Sequence, residues 1–293
     1  MTFFLEVLVG GLLAGVMYTM VALGFVLIHK ASGVFNFAQG AMVLFAALTF
    51  VTLAERGLTF FPAFAVSLLV MLALGVAIER VVLRSLVTAP PMALFLATLG
   101  LSFVLEGLAQ LVFGTQVHGL ELGISDAPLS GLPINVSTLD VFAAGIAAGI
   151  VALLGLLFQY TRAGVGLRAI ADDPVAAIAV GLNLPRLWAI AWGGAGVIAL
   201  VAGLLWGARV GVQFSLSLVV LKALPVLIIG GFSSIVGVMA GGLIVGASEK
   251  LAEVYVGAPL GGGIESWFPY ALAVAFLLVR PRGLFGDRLV ERV

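Results

Sequence analysis

The chain has 293 residues, of which 62% are hydrophobic and only 10% charged, with zero formal net charge and a mean hydropathy of +1.26. A soluble domain carries about 25% charged residues, so this composition excludes one and describes an integral membrane protein, with no basic field for nucleic acid. Cysteine is absent, which removes disulfides, thiolate nucleophiles and Cys-based metal sites.

The opening MTFFLEVLVGG lacks the basic flank of a secretory signal, and its apolar run is too long for an h-region. Phe4–Ile28 is therefore read as a retained first span, ending at His29 and Lys30. GVFNFAQGAMVLF follows, and Asn36 with Gln39 three residues later has the spacing of a capping box that opens the second span, Phe37–Ala54. Asn36, Phe37 and Gln39 are also candidates for a polar route between aromatic walls. Phe61–Ile78 comes next, trailed by Arg80 and Arg84. Met92–Phe113 carries Glu106 past its middle, with Gln110 one turn on.

Residues 114–138 contain Glu121 and Asp126 but neither Lys nor Arg. After Leu139–Tyr160, residues 161–186 form the one strongly polar central loop, with Arg162, Arg168 and Arg186. Within ADDPVAAIAVGLN, Asp173 is a natural N-cap and Pro174 fits the first helical position. Asp172 adds charge at the positive helix end, and Gly181 suits the left-handed residue that closes a helix. The enclosed two-turn helix, Pro174–Val180, is too short to stand alone in water and needs something to pack against.

Leu187–Ala208, Leu216–Gly230, Ile235–Val256 and Ile264–Val279 complete the series. Lys222, roughly 13 Å from the turn at residues 231–234 by helical rise, is placed to reach Glu249 on the next helix. Charges inside spans cost about 2.5–3.5 kcal/mol at the helix centre and are functional candidates by default; Glu106, Lys222 and Glu249 qualify.

Cytoplasmic loops concentrate Lys and Arg. Placing residues 114–138 outside puts the central loop and the Arg280, Arg282, Arg288 and Arg292 cluster inside, and the N-terminus outside. An odd number of crossings satisfies this. The fold class is all-α: a polytopic transmembrane bundle of about 8–9 membrane segments with a short cytoplasmic helix. Pairs of glycines four apart (Gly11/Gly15, Gly145/Gly149, Gly203/Gly207, Gly237/Gly241, Gly242/Gly246) point to close helix packing.

Catalytic machinery is not recognisable. Lys30, Lys222 and Lys250 all lie outside a GxxxxGK[ST] context, and no HExxH, GxSxG or paired-carboxylate arrangement stands out. His29 and His118 have no ligand spacing, so no metal site is expected. Any work against a gradient must draw on another subunit or on an ion.

GLRAIADDPVAAIAVGLNLPRLWAIAW resembles the cytoplasmic coupling loop of permeases from bacterial ATP-binding-cassette (ABC) importers, closest to the LivH-like branched-chain amino acid class. SGVFNFAQGAMVLF, LATLGLSFVLEGLAQLVFG, VVLKALPVLIIGGFSSIVGVMAGGLIVGASE and LLVRPRGLFG extend that resemblance, in order, over nearly the whole chain. It implies a single non-catalytic permease domain, 1–293, in the bacterial inner membrane and without a cofactor of its own. Two cytoplasmic ATPase subunits would bind the ATP. A second related permease subunit, a periplasmic solute-binding protein and membrane lipid would be the other partners. On the resemblance, Asp172, Asp173, Pro174, Ala177, Gly181 and Leu182 dock the ATPase, and residues 114–138 receive the binding protein. Family members usually carry His at the position of Gln39 and often Gln at that of Glu106. Importers of urea, short amides or aromatic acids therefore stay open beside branched-chain amino acids. So do a proton-coupled carrier working through Glu106 and a channel.

Overall fold

The computed structural model describes residues 2–33, 35–86, 89–124, 127–128, 135–172, 174–281 and 283–285. Asp126, Asp173, Arg282, Arg288 and Arg292 of the sequence reading lie outside the described residues. Among the described residues the chain is helical, with only two isolated β-bridges, His118 to Val212 and Pro128 to Ser137. The helices are α1 (Thr2–Ser32), α2 (Gln39–Glu55), α3 (Phe60–Ile78, prolonged by a π turn Glu79–Leu83), α4 (Pro91–Phe113) and α5 (Thr138–Tyr160). They continue as α6 (Arg162–Asp172), α7 (Pro174–Ala179), α8 (Leu184–Val210), α9 (Val219–Gly230), α10 (Ile235–Ala252), α11 (Ala258–Leu260) and α12 (Phe268–Val279).

Among the described residues, six helical runs are long and apolar enough to cross a membrane: Thr2–Ser32, Phe60–Leu86, Met92–Phe113, Thr138–Tyr160, Leu184–Val210 and Ile235–Leu260. Gln39–Glu55, Phe214–Gly230 and Phe268–Val279 are shorter apolar helices. Helix limits differ from the sequence reading at several places, α8 for instance starting at Leu184 rather than Leu187, and two differences have local reasons. The second span starts at Gln39 rather than Phe37, because Asn36 holds the preceding residues in a turn. The central loop contains α6 as well as the short helix; Ala163, Leu167 and Ile170 recur at helical spacing there, opposite Arg162 and Arg168.

The described residues group into two compact units. One comprises Leu23–Leu122 and Leu153–Val220. At its heart lies α2, whose sequence QGAMVLFAALTFV is apolar on every face and accordingly buried on almost every face. Against it, α8 runs in the same direction: Gln39 meets Ala195, and a Cβ on Gly203 would strike the Val43 carbonyl. Helix α3 runs opposite to α8, with Gly75 against the Trp192 carbonyl and Gly196 against that of Met71. At one end of this unit His118 pairs with Glu55 at 2.8 Å and bridges to Val212. At the other, the Trp188 indole donates to the Ala31 carbonyl at 2.9 Å. The start of α8, the end of α1, the end of α3 and α6 meet at that second end. It collects Lys30, Arg80, Arg84, Arg162, Arg168 and Arg186, leaving Arg56 and Arg209 at the first.

The other unit comprises Met1–Ala22, Gly123–Ala152 and Leu221–Val293. Here α1 and α10 cross antiparallel, with Gly11 against Gly246 and Gly15 against Gly242. The Thr19 hydroxyl bridges the crossing, at 2.9 Å from the Gly15 carbonyl and 3.4 Å from that of Val238. A tight turn joins α9 to α10. Ser234 caps α10 by accepting the Gly237 N–H at 3.0 Å, and Leu284 N–H donates to the Ile229 carbonyl at 2.8 Å. Four of the five glycine pairs thus sit in close contacts; Gly145 and Gly149 face open space.

At the α1–α10 crossing a Cβ would meet backbone, which cannot swing aside. Gly15→Val is expected to destabilise the protein at or above the ~3 kcal/mol typical of severe overpacking, whereas Gly10→Ala, with no atom within 4 Å, should be neutral or slightly stabilising. Thermal unfolding of the two purified variants, followed by fluorescence-detected size exclusion, makes the comparison.

Candidate functional site

Among the described residues, the candidate functional positions other than Glu106 fall at three places, two in the first unit and one in the second. The first surrounds the α1–α2 connection. Asn36, Gln39 and Thr98 are fully buried. The Asn36 carboxamide oxygen accepts the Ala38 N–H at 3.1 Å, forming an Asx turn, and its amide donates to Gln39 Oε1 at 3.2 Å. This replaces the expected capping box: the cap position falls on Ala38, which has no side-chain cap. Gln39 Nε2 lies 3.5 Å from the Ala195 carbonyl. Thr98, eight residues into α4, accepts the Phe37 N–H at 3.3 Å through a hydroxyl that also lies 3.0 Å from the Phe35 carbonyl.

Rings wall this polar turn. Phe25, Phe35, Phe37 and Phe95 follow one another with centroids 4.8, 5.1 and 5.0 Å apart. Ala195 lies about 16 Å along α8 from Leu184 at a rise of ~1.5 Å per residue. The turn therefore sits deep within the bundle, where irregular backbone is tolerated only when protein buries it or a cavity adjoins it.

The second place is the central loop. α7 ends in a Schellman motif: the Leu182 N–H reaches the Ala177 carbonyl at 3.0 Å and the Gly181 N–H that of Ile178 at 2.9 Å. Gly181 takes φ +89, the left-handed conformation expected of it. Ala177 is buried and Leu182 half-buried, while Ile178 and Val180 are 52% and 80% exposed. Asn183 then caps α8, accepting the Arg186 N–H at 3.1 Å. Asp172 closes α6 and Pro174 opens α7; their side chains, like all of Asp173, lie outside the described residues.

The third place is in the other unit. Lys222 Nζ donates to Glu249 Oε1 at 2.7 Å and to the Glu265 carbonyl at 2.6 Å, and the Tyr18 hydroxyl donates to the same Glu249 oxygen at 3.1 Å. Glu249 Oε2 is buried without a hydrogen-bond partner. Close by, Lys250 pairs with Glu265 at 3.2 Å, and Glu253 accepts the Gly263 and Glu265 N–H groups at 2.9 and 2.8 Å. Glu106 belongs to none of these groups; it is half-buried on α4 beside the exposed Phe103 and Val104.

Two contributors to these places, and one further buried carboxylate, escaped the sequence reading. Thr98 is a lone hydroxyl in an apolar span and carries no pattern. Tyr18 reads as an ordinary span aromatic. Glu79, only 4% exposed with Oε1 unpartnered, was hidden by its position between a span end and Arg80; its adjoining π turn is a device common at functional sites. Among the described residues, no group of three His, Asp or Glu side chains is placed to hold a metal.

The sequence matches the family described as "Branched-chain amino acid transport system / permease component" over residues 7–279. It is 28% identical over 307 residues to the high-affinity branched-chain amino acid transport system permease protein LivH of Salmonella typhimurium, covering 99% of this chain and 98% of that protein. The corresponding protein BraD of Pseudomonas aeruginosa is 28% identical over 313 residues, with the same coverage of each chain. Among solved structures, PsaBC from Streptococcus pneumoniae in complex with Fab overlaps 92% of this chain and 89% of that chain, at a TM-score of 0.46 and 15% identity.

The Lys222–Glu249 pair has a direct energetic consequence. Lys222→Met strands a buried carboxylate, a loss of about 3–5 kcal/mol for a broken buried pair. The double variant Lys222→Met/Glu249→Met should recover most of it, as a double-mutant cycle of thermal stabilities in detergent would read out.

Proposed function

This chain belongs to the branched-chain amino acid transport system permease family, and we propose that it is the non-catalytic membrane subunit of an ABC importer for branched-chain amino acids. The observation that carries the proposal is the family match across residues 7–279 in a helical chain with six candidate membrane spans. Counting the three shorter apolar helices as crossings too gives nine, within one membrane domain, 1–293. α2 crosses at 17 residues because neighbouring helices, not lipid, surround it. The clustering of basic residues at one end of the first unit supports an inner-membrane protein with its central loop and C-terminus cytoplasmic and its N-terminus outside.

The translocation path follows the turn at Phe35–Gln39. The rings of Phe25, Phe35, Phe37 and Phe95 suit a branched aliphatic side chain. Asn36, Gln39 and Thr98 supply amide and hydroxyl groups that can exchange their mutual hydrogen bonds for bonds to a passing ammonium and carboxylate. Lys222 and Glu249, with Tyr18, brace their unit near the outer face. Asp172, Asp173, Pro174, Ala177, Gly181 and Leu182 form the coupling element. The exposed Ile178 and Val180 give it an apolar surface to set against a cytoplasmic ATPase, and α6 carries the push to the start of α8. ATP is bound by two such ATPase subunits. A second related permease subunit completes the membrane part, and a periplasmic binding protein delivers solute to residues 114–138.

Two experiments test this reading. In proteoliposomes holding the chain with its second permease subunit, ATPases and binding protein, leucine uptake should require ATP; uptake by the purified chain alone on a proton gradient overturns the proposal in favour of a carrier. Charge reversal at both Asp172 and Asp173 should leave insertion intact and abolish co-purification of the ATPase, and unchanged co-purification argues against the coupling assignment.

A further inference from the structure

An apolar cavity of about 290 Å³ lies in the first unit between the C-terminal ends of α1 and α5, the start of α6 and the first turns of α8. Leu27, Leu154, Leu157, Leu167, Ile190 and Gly194 form most of its wall. The one hydroxyl in the lining belongs to Thr161, and it is already engaged. It donates to the Leu157 carbonyl at 2.6 Å and accepts the Gly164 N–H at 3.0 Å. A water needs two to four polar partners to be held in a cavity, and this one offers none to spare. Its contents must be apolar.

The cavity opens outward. Leu157 and Ile190 are 43% and 46% exposed, so its mouth faces the surface where an apolar bundle meets lipid. From Thr161 to Leu154 it extends about 10 Å along α5, in the direction of the spans. Cations stand at the end nearer the helix termini. Lys30 Nζ sits 5.7 Å from the centroid of the Phe158 ring, which lines the cavity. Arg162 is exposed between the lining residues Thr161 and Ala163, and Arg168 is exposed with its guanidinium 3.4 Å from the Gln159 carbonyl.

We propose that this cavity holds part of one acyl chain of an anionic phospholipid, whose head group is bound by Lys30 and Arg162. Basic pockets between membrane helices recognise anionic head groups in this manner, and bilayer lipid is the apolar molecule always present at such a mouth. A chain lodged there braces the corner between α5 and α6. That corner is already tight, since a Cβ on Gly164 would strike the Leu157 and Phe158 backbone. The inference rests on the membrane-embedded helices and not on the identity of the solute, and its test involves no transport.

The full chain is reconstituted in nanodiscs with phosphatidylglycerol carrying a photoreactive acyl chain, and crosslinked peptides are mapped by mass spectrometry. Labelling is expected on residues 154–167 and 190–194, saturating at one lipid per chain. Ala163→Phe, which fills the cavity, should cut labelling about ten-fold. Lys30→Gln/Arg162→Gln should cut it about ten-fold or more for phosphatidylglycerol and leave phosphatidylethanolamine with the same acyl chain unchanged. Leu167→Trp fills the cavity from the α6 side and replaces Ala163→Phe if that variant fails size exclusion. Labelling spread evenly over the exposed faces of α4 and α5 overturns the proposal. So do labelling insensitive to cavity filling and equal labelling by the two head groups in the unsubstituted chain.

Discussion

A bilayer core offers no water to hydrogen-bond a peptide group, so every backbone donor and acceptor at that depth must find its partner inside the protein. Most of this chain meets the requirement by staying helical. The connection between α1 and α2 cannot, because after Ser32 the chain returns through non-helical backbone to the depth of Ala195 on α8 before α2 begins. Buried side chains do the work that water does in an ordinary loop: Asn36 caps the Ala38 N–H and Thr98 accepts that of Phe37. A polar patch in the middle of an apolar unit is thus a structural necessity of this non-helical connection.

Apolar side chains gain little by moving from lipid to protein, so helices in a membrane are held by close contact and hydrogen bonds more than by hydrophobic burial. The glycines are used accordingly. Where α1 meets α10, and where α3 meets α8, backbone lies against backbone with no room for a methyl group. Such approach brings the Thr19 hydroxyl within reach of the facing helix and adds a polar tie. The central loop shows the opposite economy. α7 is capped at its C-terminus by a Schellman turn, yet it leaves Ile178 and Val180 uncovered.

Charge is divided between the ends of the first unit and a cluster in the second, where Lys222 pairs with Glu249 and Lys250 with Glu265. Glu249 has Lys222 and Tyr18 on a single oxygen, and the lysine, 27% exposed, is the end of the pair that faces outward. Pairing makes a buried carboxylate tolerable without making it a strong stabiliser. Glu79, a nearly buried carboxylate at the start of a π turn, likewise keeps one oxygen without a hydrogen-bond partner.

Composition alone established a helical membrane protein, because only helices or closed barrels satisfy the backbone in lipid and the chain has long apolar runs without strand alternation. The C-terminal end of the short central helix was legible too. Gly181 had to be left-handed for the chain to turn from α7 into α8, and it is. Lys222 and Glu249 could be paired from helical spacing on adjacent segments. The glycine pairs announced close packing without saying against what. Sequence could not place Thr98 beside Phe37, since the two are 61 positions apart and a lone threonine has no periodicity to betray it. Nor could it distinguish a capping box from the Asx turn at Asn36, because both use the same residues and differ only in which N–H the side chain faces. The cavity beside α6 was also beyond reach, being made of unremarkable apolar residues on four separate helices. Local pattern decides which segments are helices and how they end; which side chains meet across the bundle depends on helix direction and depth, and those were decided only when the helices packed.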